Sequence, residues 1–177
     1  LAADNVTVNT NAVVPPVLPP ATVEKVAINA VLAGCLHEYP PVVLAAVEAA
    51  CTDGFNMHGL LATTWFAGPM VVVSGPVARD IGMNDAMNAV GQGNRANATI
   101  GRALQLIVRN VGGGRPGGVD RATLGNPGKY TFCFAETPPA DSDWPNQAVE
   151  LGEDPAGSAV TLVAAEGVRG IIDQLSR

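Results

Sequence analysis

The sequence predicts an α/β fold, a layered structure in which helices flank a mostly parallel, apolar sheet. Segments whose apolar residues recur at helical spacing alternate along the chain with short apolar runs, which is the pattern of such folds. Residues 70–74 form the clearest run, rich in valine and followed by Gly75 and Pro76, as expected of a strand buried on both faces. Hydrophobic residues occupy 47% of the 177 positions, which is enough to fill one core.

The N-terminal part predicts an arm followed by two helices. Residues 1–21 hold two proline pairs and no helical period, which indicates an extended, proline-rich arm. Thr22 is suited to cap a helix that ends at Gly34, and Pro40 is suited to start a second helix that runs to about Ala50. The expected buried face of the first helix is Val23, Val26, Ala27, Ala30 and Val31.

A glycine-bounded helix within residues 91–118 is the segment around which the chain is organised. Gly91 and Gly93 open a turn, and Asn94 or Asn97 could cap the helix that follows. Three consecutive glycines and a proline then end it. Its buried stripe should consist of Ile100, Leu104, Ile107, Val108 and Val111.

Shorter elements are expected around this helix. Further strands are predicted at residues 60–66, 129–135 and 159–164, and a helical turn at 77–81. Residues 136–158 should form a surface loop. One helical face is predicted near the C-terminus from the spacing of Val168, Ile171, Ile172 and Leu175.

The chain therefore divides into three predicted parts. They are the arm at 1–21, an α/β core domain at 22–137, and an acidic loop with a C-terminal strand and helix at 138–177. The start at Leu1 and a helical pattern that runs to Arg177 suggest a processed chain or a boundary between two chains.

Charge and cysteine content exclude several classes of protein. The net charge of −6 and the lack of a basic run argue against nucleic acid as a partner. No apolar stretch approaches the roughly 20 residues needed to span a bilayer, so no membrane partner is expected. Three widely spaced cysteines do not make a disulfide framework, which favours reduced thiols and a cytoplasmic location.

The start of the central helix is a candidate binding site for a carboxylate or phosphate. Free amide groups at a helix N-terminus, with Arg95 and Arg102 nearby, attract anions. Asn94 and Asn97 could orient the same molecule. The alternative is that the asparagines are caps and the arginines hold neighbouring loops.

Cys35, His37, Glu38 and Tyr39 lie together at the turn between the first two helices. A thiol beside an imidazole and a carboxylate could be a nucleophile with its base, or it could supply metal ligands. A buried, inert cysteine is the alternative. His58 could act as a general acid or base, or it could be a loop histidine bonded to the backbone.

Further candidates lie at strand ends and at the other cysteines. Ser74 ends a predicted strand, a position typical of ligand sites in α/β sheets. Lys129 and Glu136 bracket another strand and could contact a substrate or form a surface pair. Cys35, Cys51 and Cys133 could together hold an Fe–S cluster or another metal, although no CxxC spacing supports this.

Four segments resemble the second half of the UGSC-motif (seleno)protein family: 22–35, 38–39, 91–102 and 123–136. The similarity covers roughly residues 22–137. The family's U/C-Gly-Ser-Cys turn is absent from this chain and belongs to the N-terminal half of longer members. Ala165-Glu166-Gly167 and Asp173 resemble a later segment of the family, which carries histidines where Arg169 and Gln174 stand here. The resemblance thus implies a subunit or half-protein, for which any redox-active thiol could come from a partner chain.

These observations lead us to expect a subunit of a small-molecule enzyme that uses cysteine-dependent lyase, hydrolase or redox chemistry on an anionic substrate. The active site could be shared with a partner chain in a homo- or hetero-oligomer, including a chain with a CGSC or UGSC motif. The alternatives are an Fe–S or zinc hydro-lyase and a non-catalytic partner subunit. The sequence specifies no cofactor.

Overall fold

The computed structural model describes residues 14–15, 19–137 and 144–171. Its helices are α1 (Val23–Ala33), α2 (Pro40–Ala50), α3 (Met57–Ala62), α4 (Pro76–Asp80), α5 (Arg95–Asn110) and α6 (Gln147–Glu150), with a 3-10 turn at Pro127–Lys129. Its strands are β1 (Gly68–Ser74), β2 (Cys133–Ala135) and β3 (Ala159–Ala165). None of the helices in the described ranges is long and apolar enough to cross a membrane.

The three strands form one small sheet in the order β2-β1-β3. β1 pairs parallel with β2, from Val71 opposite Cys133 onward, and antiparallel with β3 along its whole length. The α/β class is confirmed, with helices packing on the sheet. Parallel pairing is limited to β1 and β2, so the sheet is mixed.

Helix α5 lies at the centre of the core. Asn94 caps it by accepting a hydrogen bond from the Asn97 amide, at 2.8 Å. The predicted apolar stripe is buried from Ile100 to Val108. Gly101 lets the helix approach β2 closely, because a Cβ at this position would lie 2.5 Å from Thr131 Oγ1 and 2.9 Å from the Phe132 nitrogen.

The caps predicted for α1 are confirmed, but its predicted buried face is only partly correct. Thr22 accepts from the Lys25 amide, and Gly34 ends the helix in a left-handed conformation. The buried residues are Val26, Asn29 and Ala30, whereas Val23, Ala27 and Val31 are exposed. The buried face includes Asn29, a polar residue that the apolar spacing could not predict, and its side chain accepts a hydrogen bond from Asn110 of α5.

The strand predicted at 60–66 is wrong, because residues 60–62 belong to α3 and residues 63–66 form a loop. Asn56, in a left-handed conformation, caps the helix by accepting from the Gly59 amide at 3.0 Å. Six residues with a capped start then form a helix, although the same apolar residues also fit a strand pattern. The strand predicted at 129–135 is also too long, since Pro127 starts a 3-10 turn and pairing begins only at Cys133.

The C-terminal predictions have mixed outcomes. β3 is confirmed, and the loop predicted at 136–158 contains the short helix α6, capped by Asn146. Residues 166–171 are not helical, and Gly167 has φ +135°, a value that a helix does not accommodate. Residues 172–177 lie outside the described residues. So does most of the predicted arm, although Val14 and Ala21 are buried in the core.

Gly101→Ala should lower the free energy of unfolding by about 1–3 kcal/mol, because the added methyl group collides with Thr131 and with the backbone before β2. Gly54→Ala is the matched control, since a Cβ there meets nothing within 4 Å. Urea denaturation of both variants measures the difference. Equal stability of the two would contradict the close approach of α5 to β2.

Candidate functional site

The residues predicted to form one site lie in separate places. The first group is at the start of α5 and the turn after α1: Cys35, Asn94, Arg95 and Asn97. The second is at the C-terminal ends of β1 and β2: Ser74 and Glu136. The third lines a cavity beside the middle of α5: Arg102 and Lys129. His37, Glu38 and His58 are exposed.

Cys35 lies beside the start of α5, as the sequence predicts. Its thiol donates to the Thr99 carbonyl at 3.4 Å, and Arg95 Nε donates to the neighbouring Gly34 carbonyl at 2.9 Å. Burial raises the pKa of the Cys35 thiol, and the Thr99 hydrogen bond and the Arg95 charge offset this effect only in part. The thiol is therefore neutral near pH 7 in this arrangement, which disfavours a nucleophilic role.

The asparagines at the start of α5 hold the preceding loop. Asn97 is 2% exposed, and its side chain bonds the Asn84 amide and carbonyl and the Ala89 carbonyl, at 2.8–3.0 Å. Asn94 caps the helix and donates to the Gly82 carbonyl. These contacts fit the structural alternative, because they occupy the amide groups that a substrate would need.

The histidines have little contact with the rest of the chain. His37 Nδ1 lies 3.4 Å from the Glu38 carboxylate, but 90% of the histidine side chain is exposed. An exposed pair of this kind is weak and mobile. His58 is exposed on α3 and lines neither of the two larger cavities described below.

The cysteines do not converge on a metal site. All three are free, and within the described ranges no group of three or more His, Cys, Asp or Glu side chains could hold a metal ion. Burial and the Glu48 charge raise the pKa of Cys51 to about 11. Burial also strongly raises the pKa of Cys133, which is 3% exposed. The geometry does not favour the metal alternative.

A cavity of about 440 Å³ lies where β1 and β2 end. Glu136 is at its edge and accepts from Ser74 Oγ and from the Gln147 amide, both at 2.8 Å. These bonds tie β1 and β2 to the start of α6. Arg79 and Asp85 also line the cavity, so its charged groups carry both signs.

The larger cavity, about 630 Å³, lies beside α5 and has a basic lining. Arg102 and Arg109 project from α5, and no hydrogen bond or ion pair holds either guanidinium within the described part of the chain. Lys129 pairs with Asp120 at 2.7 Å, and both side chains are mostly buried. Because that pair is neutral, the lining has a net charge of about +2 in a protein whose net charge is −6.

The rest of this lining is largely apolar, which gives the cavity two kinds of surface. The apolar lining residues include Leu61, Val108, Pro116, Leu124 and Tyr130. Leu124 and Tyr130 are 86% and 70% exposed and form an apolar part of the lining that is open to solvent. A volume of this size suits a small organic molecule.

Sequence reasoning missed two important residues of this cavity. Arg109 follows Arg102 by seven residues, which places both on one face of a helix, and this spacing is a signal that could have found it. Asp120 offers no such signal, because its pairing with Lys129 depends on the path of the loop after α5. Glu136, considered as a surface partner for Lys129, instead bonds Ser74.

No family model, curated protein or solved structure matches the chain. The resemblance to the UGSC-motif family therefore stays a prediction.

Asn97→Ala should lower the free energy of unfolding by about 2–3 kcal/mol, because it leaves three partly buried backbone groups of the loop without partners. Asn94→Ala should cost about 1 kcal/mol, the usual effect of losing a cap. Thermal and urea unfolding measure both. A larger effect at Asn94 than at Asn97 would contradict the proposed structural role of Asn97.

The native thiols should react slowly with iodoacetamide at pH 8, because raised pKa values leave little thiolate. Mass spectrometry should find Cys35 labelled first, Cys51 more slowly and buried Cys133 last. Raising the pH toward 11 should speed the reaction of Cys51. Labelling of native Cys35 as fast as in urea-unfolded protein would show that this thiol is activated.

Proposed function

We propose that the protein binds a small anionic molecule with an apolar body in the cavity beside α5, as a subunit of a small-molecule enzyme. The observation that carries this proposal is that the guanidinium groups of Arg102 and Arg109, on one face of α5, line the same cavity and have no hydrogen bond or ion pair among the described residues. Arg102 is half-buried and Arg109 is exposed, so both guanidinium groups are accessible to a ligand that enters the cavity.

Arginine is well suited to bind such an anion. Its planar guanidinium can donate two parallel hydrogen bonds to a carboxylate or phosphate, and these bonds are stronger than those between neutral groups. Partly apolar walls reduce screening by water and thus strengthen the attraction. The Lys129–Asp120 pair fixes the opposite loop beside the arginines.

The apolar lining of the cavity supports an apolar body for the bound molecule. Leu61 and Val108 are buried residues of the core, while Leu124 and Tyr130 are open to solvent. A hydrocarbon or aromatic group can lie against these residues while its anionic group binds the arginines. Inorganic ions lack this group and should bind more weakly.

Cysteine-dependent chemistry is the second candidate. The observation that favours it is the position of Cys35 at the start of α5, where Arg95 bonds the neighbouring Gly34 carbonyl, although burial raises the pKa of this thiol despite the Arg95 charge. No cysteine lines the cavity beside α5, so a thiol acting on a molecule bound there would come from a partner chain. The free cysteines favour a reducing compartment, and on this ground we propose the cytoplasm.

Arg102→Gln and Arg109→Gln should each weaken binding of phenyl phosphate by about 10-fold or more, because each loses a charge-assisted hydrogen bond. Isothermal titration calorimetry measures the dissociation constants. Inorganic phosphate serves as the comparison ligand, because it has the charge of phenyl phosphate but no apolar body. Wild-type protein should bind phenyl phosphate more tightly than inorganic phosphate, and both more weakly at high salt.

The matched control is Arg79→Gln, because Arg79 is exposed and lines the other cavity. This variant should bind phenyl phosphate as the wild type does. An equal loss in all three variants, or no binding by the wild type, would contradict the proposed site.

A further inference from the structure

Helix α1 is apolar on both its faces. Val26 and Ala30 face the core, and only Asn29 is a polar residue among the buried positions of the helix. The opposite face carries an exposed stripe, called here the α1 stripe: Val23, Ala27, Ile28, Val31 and Leu32, continued by Leu36 in the next turn. A surface helix usually turns charged and polar residues toward water, and beyond Glu24 and Lys25 in its first turn the outer face of α1 does not.

The exposure of the α1 stripe is large. Ile28 is 52% exposed, Val31 74% and Leu32 67%, with smaller values for Val23 and Leu36. These five side chains together expose an apolar patch on the order of 500 Å², a size that on the surface of a monomer is usually functional. None of its members is charged, and the charged residues of the helix, Glu24 and Lys25, both lie in its first turn.

From this geometry we infer that the α1 stripe is the contact surface of a homodimer, covered by the α1 stripe of a second copy of this chain. A two-fold axis brings the same surface of both copies together, so apolar residues meet apolar residues along both helices. Complete burial of both patches removes roughly 1,000 Å² of apolar surface from water before any polar rim is counted, which is the lower limit for a specific interface.

A second copy fits this surface better than a partner with a charged or polar contact face. The stripe offers no charge beyond the first turn and no side-chain hydrogen-bonding group, so a polar partner would lose its contacts with water without replacement. Homodimer interfaces are more apolar than those of transient complexes, which matches the composition of the stripe.

The contact also reaches the turn that carries Cys35, because Leu36 ends the stripe. The inference is independent of anion binding, since neither arginine of the cavity beside α5 belongs to α1.

Analytical ultracentrifugation of the wild-type chain at roughly 1–100 µM, a range that detects micromolar dissociation constants, tests the inference. The wild type should sediment as a dimer. Val31→Glu and Ile28→Glu should each weaken dimerisation by about 100-fold or more, because each places a charge in the centre of the contact.

Met87→Glu is the matched control, since Met87 is 93% exposed on a loop outside α1. It should leave the dimer intact. Circular dichroism should show all three variants folded, as expected for changes at exposed positions. A monomeric wild type, or Val31→Glu and Ile28→Glu variants that remain dimeric, would overturn the inference.

Discussion

Close packing of α5 against β2 is the interaction on which the rest of the structure depends. Gly101 makes it possible, because any side chain at this position would collide with Thr131 and with the backbone before Cys133. Once α5 is held there, its start lies beside Cys35, its apolar stripe fills the core, and Arg102 and Arg109 face the loop that carries Lys129. One helix thus supplies both the core and the cationic surface.

Separation of the candidate residues follows from the length of α5. A helix of 16 residues spans about 24 Å, so side chains at its start and side chains two turns further on contact different parts of the protein. Asn94, Arg95 and Asn97 bond the turn after α1 and the loop before α5, which leaves them little capacity for a substrate. Arg102 and Arg109 lie further along the helix, where they line a cavity that has both basic and apolar residues.

The sequence was informative where the signals are local. Thr22, Gly34 and Asn94 mark helix ends, and the valines of β1 predict a buried strand, because caps and periodicity depend on near neighbours. The helix α3 was missed, since its start depends on one left-handed asparagine. At the site, Arg102 and Lys129 could be predicted as charged groups near the central helix. The Lys129–Asp120 pair could not, because it depends on how the loop after α5 returns to the helix.

The central claim is that Arg102 and Arg109 bind one anion together. The most direct measurement is a titration of the protein with phenyl phosphate, followed by NMR of the arginine side-chain Nε–Hε groups. The account predicts that the Arg102 and Arg109 signals shift together and saturate with a single Kd, while those of Arg79 and Arg95 stay in place. Shifts centred on Arg79 or Arg95, or none at Arg102 and Arg109, would contradict it.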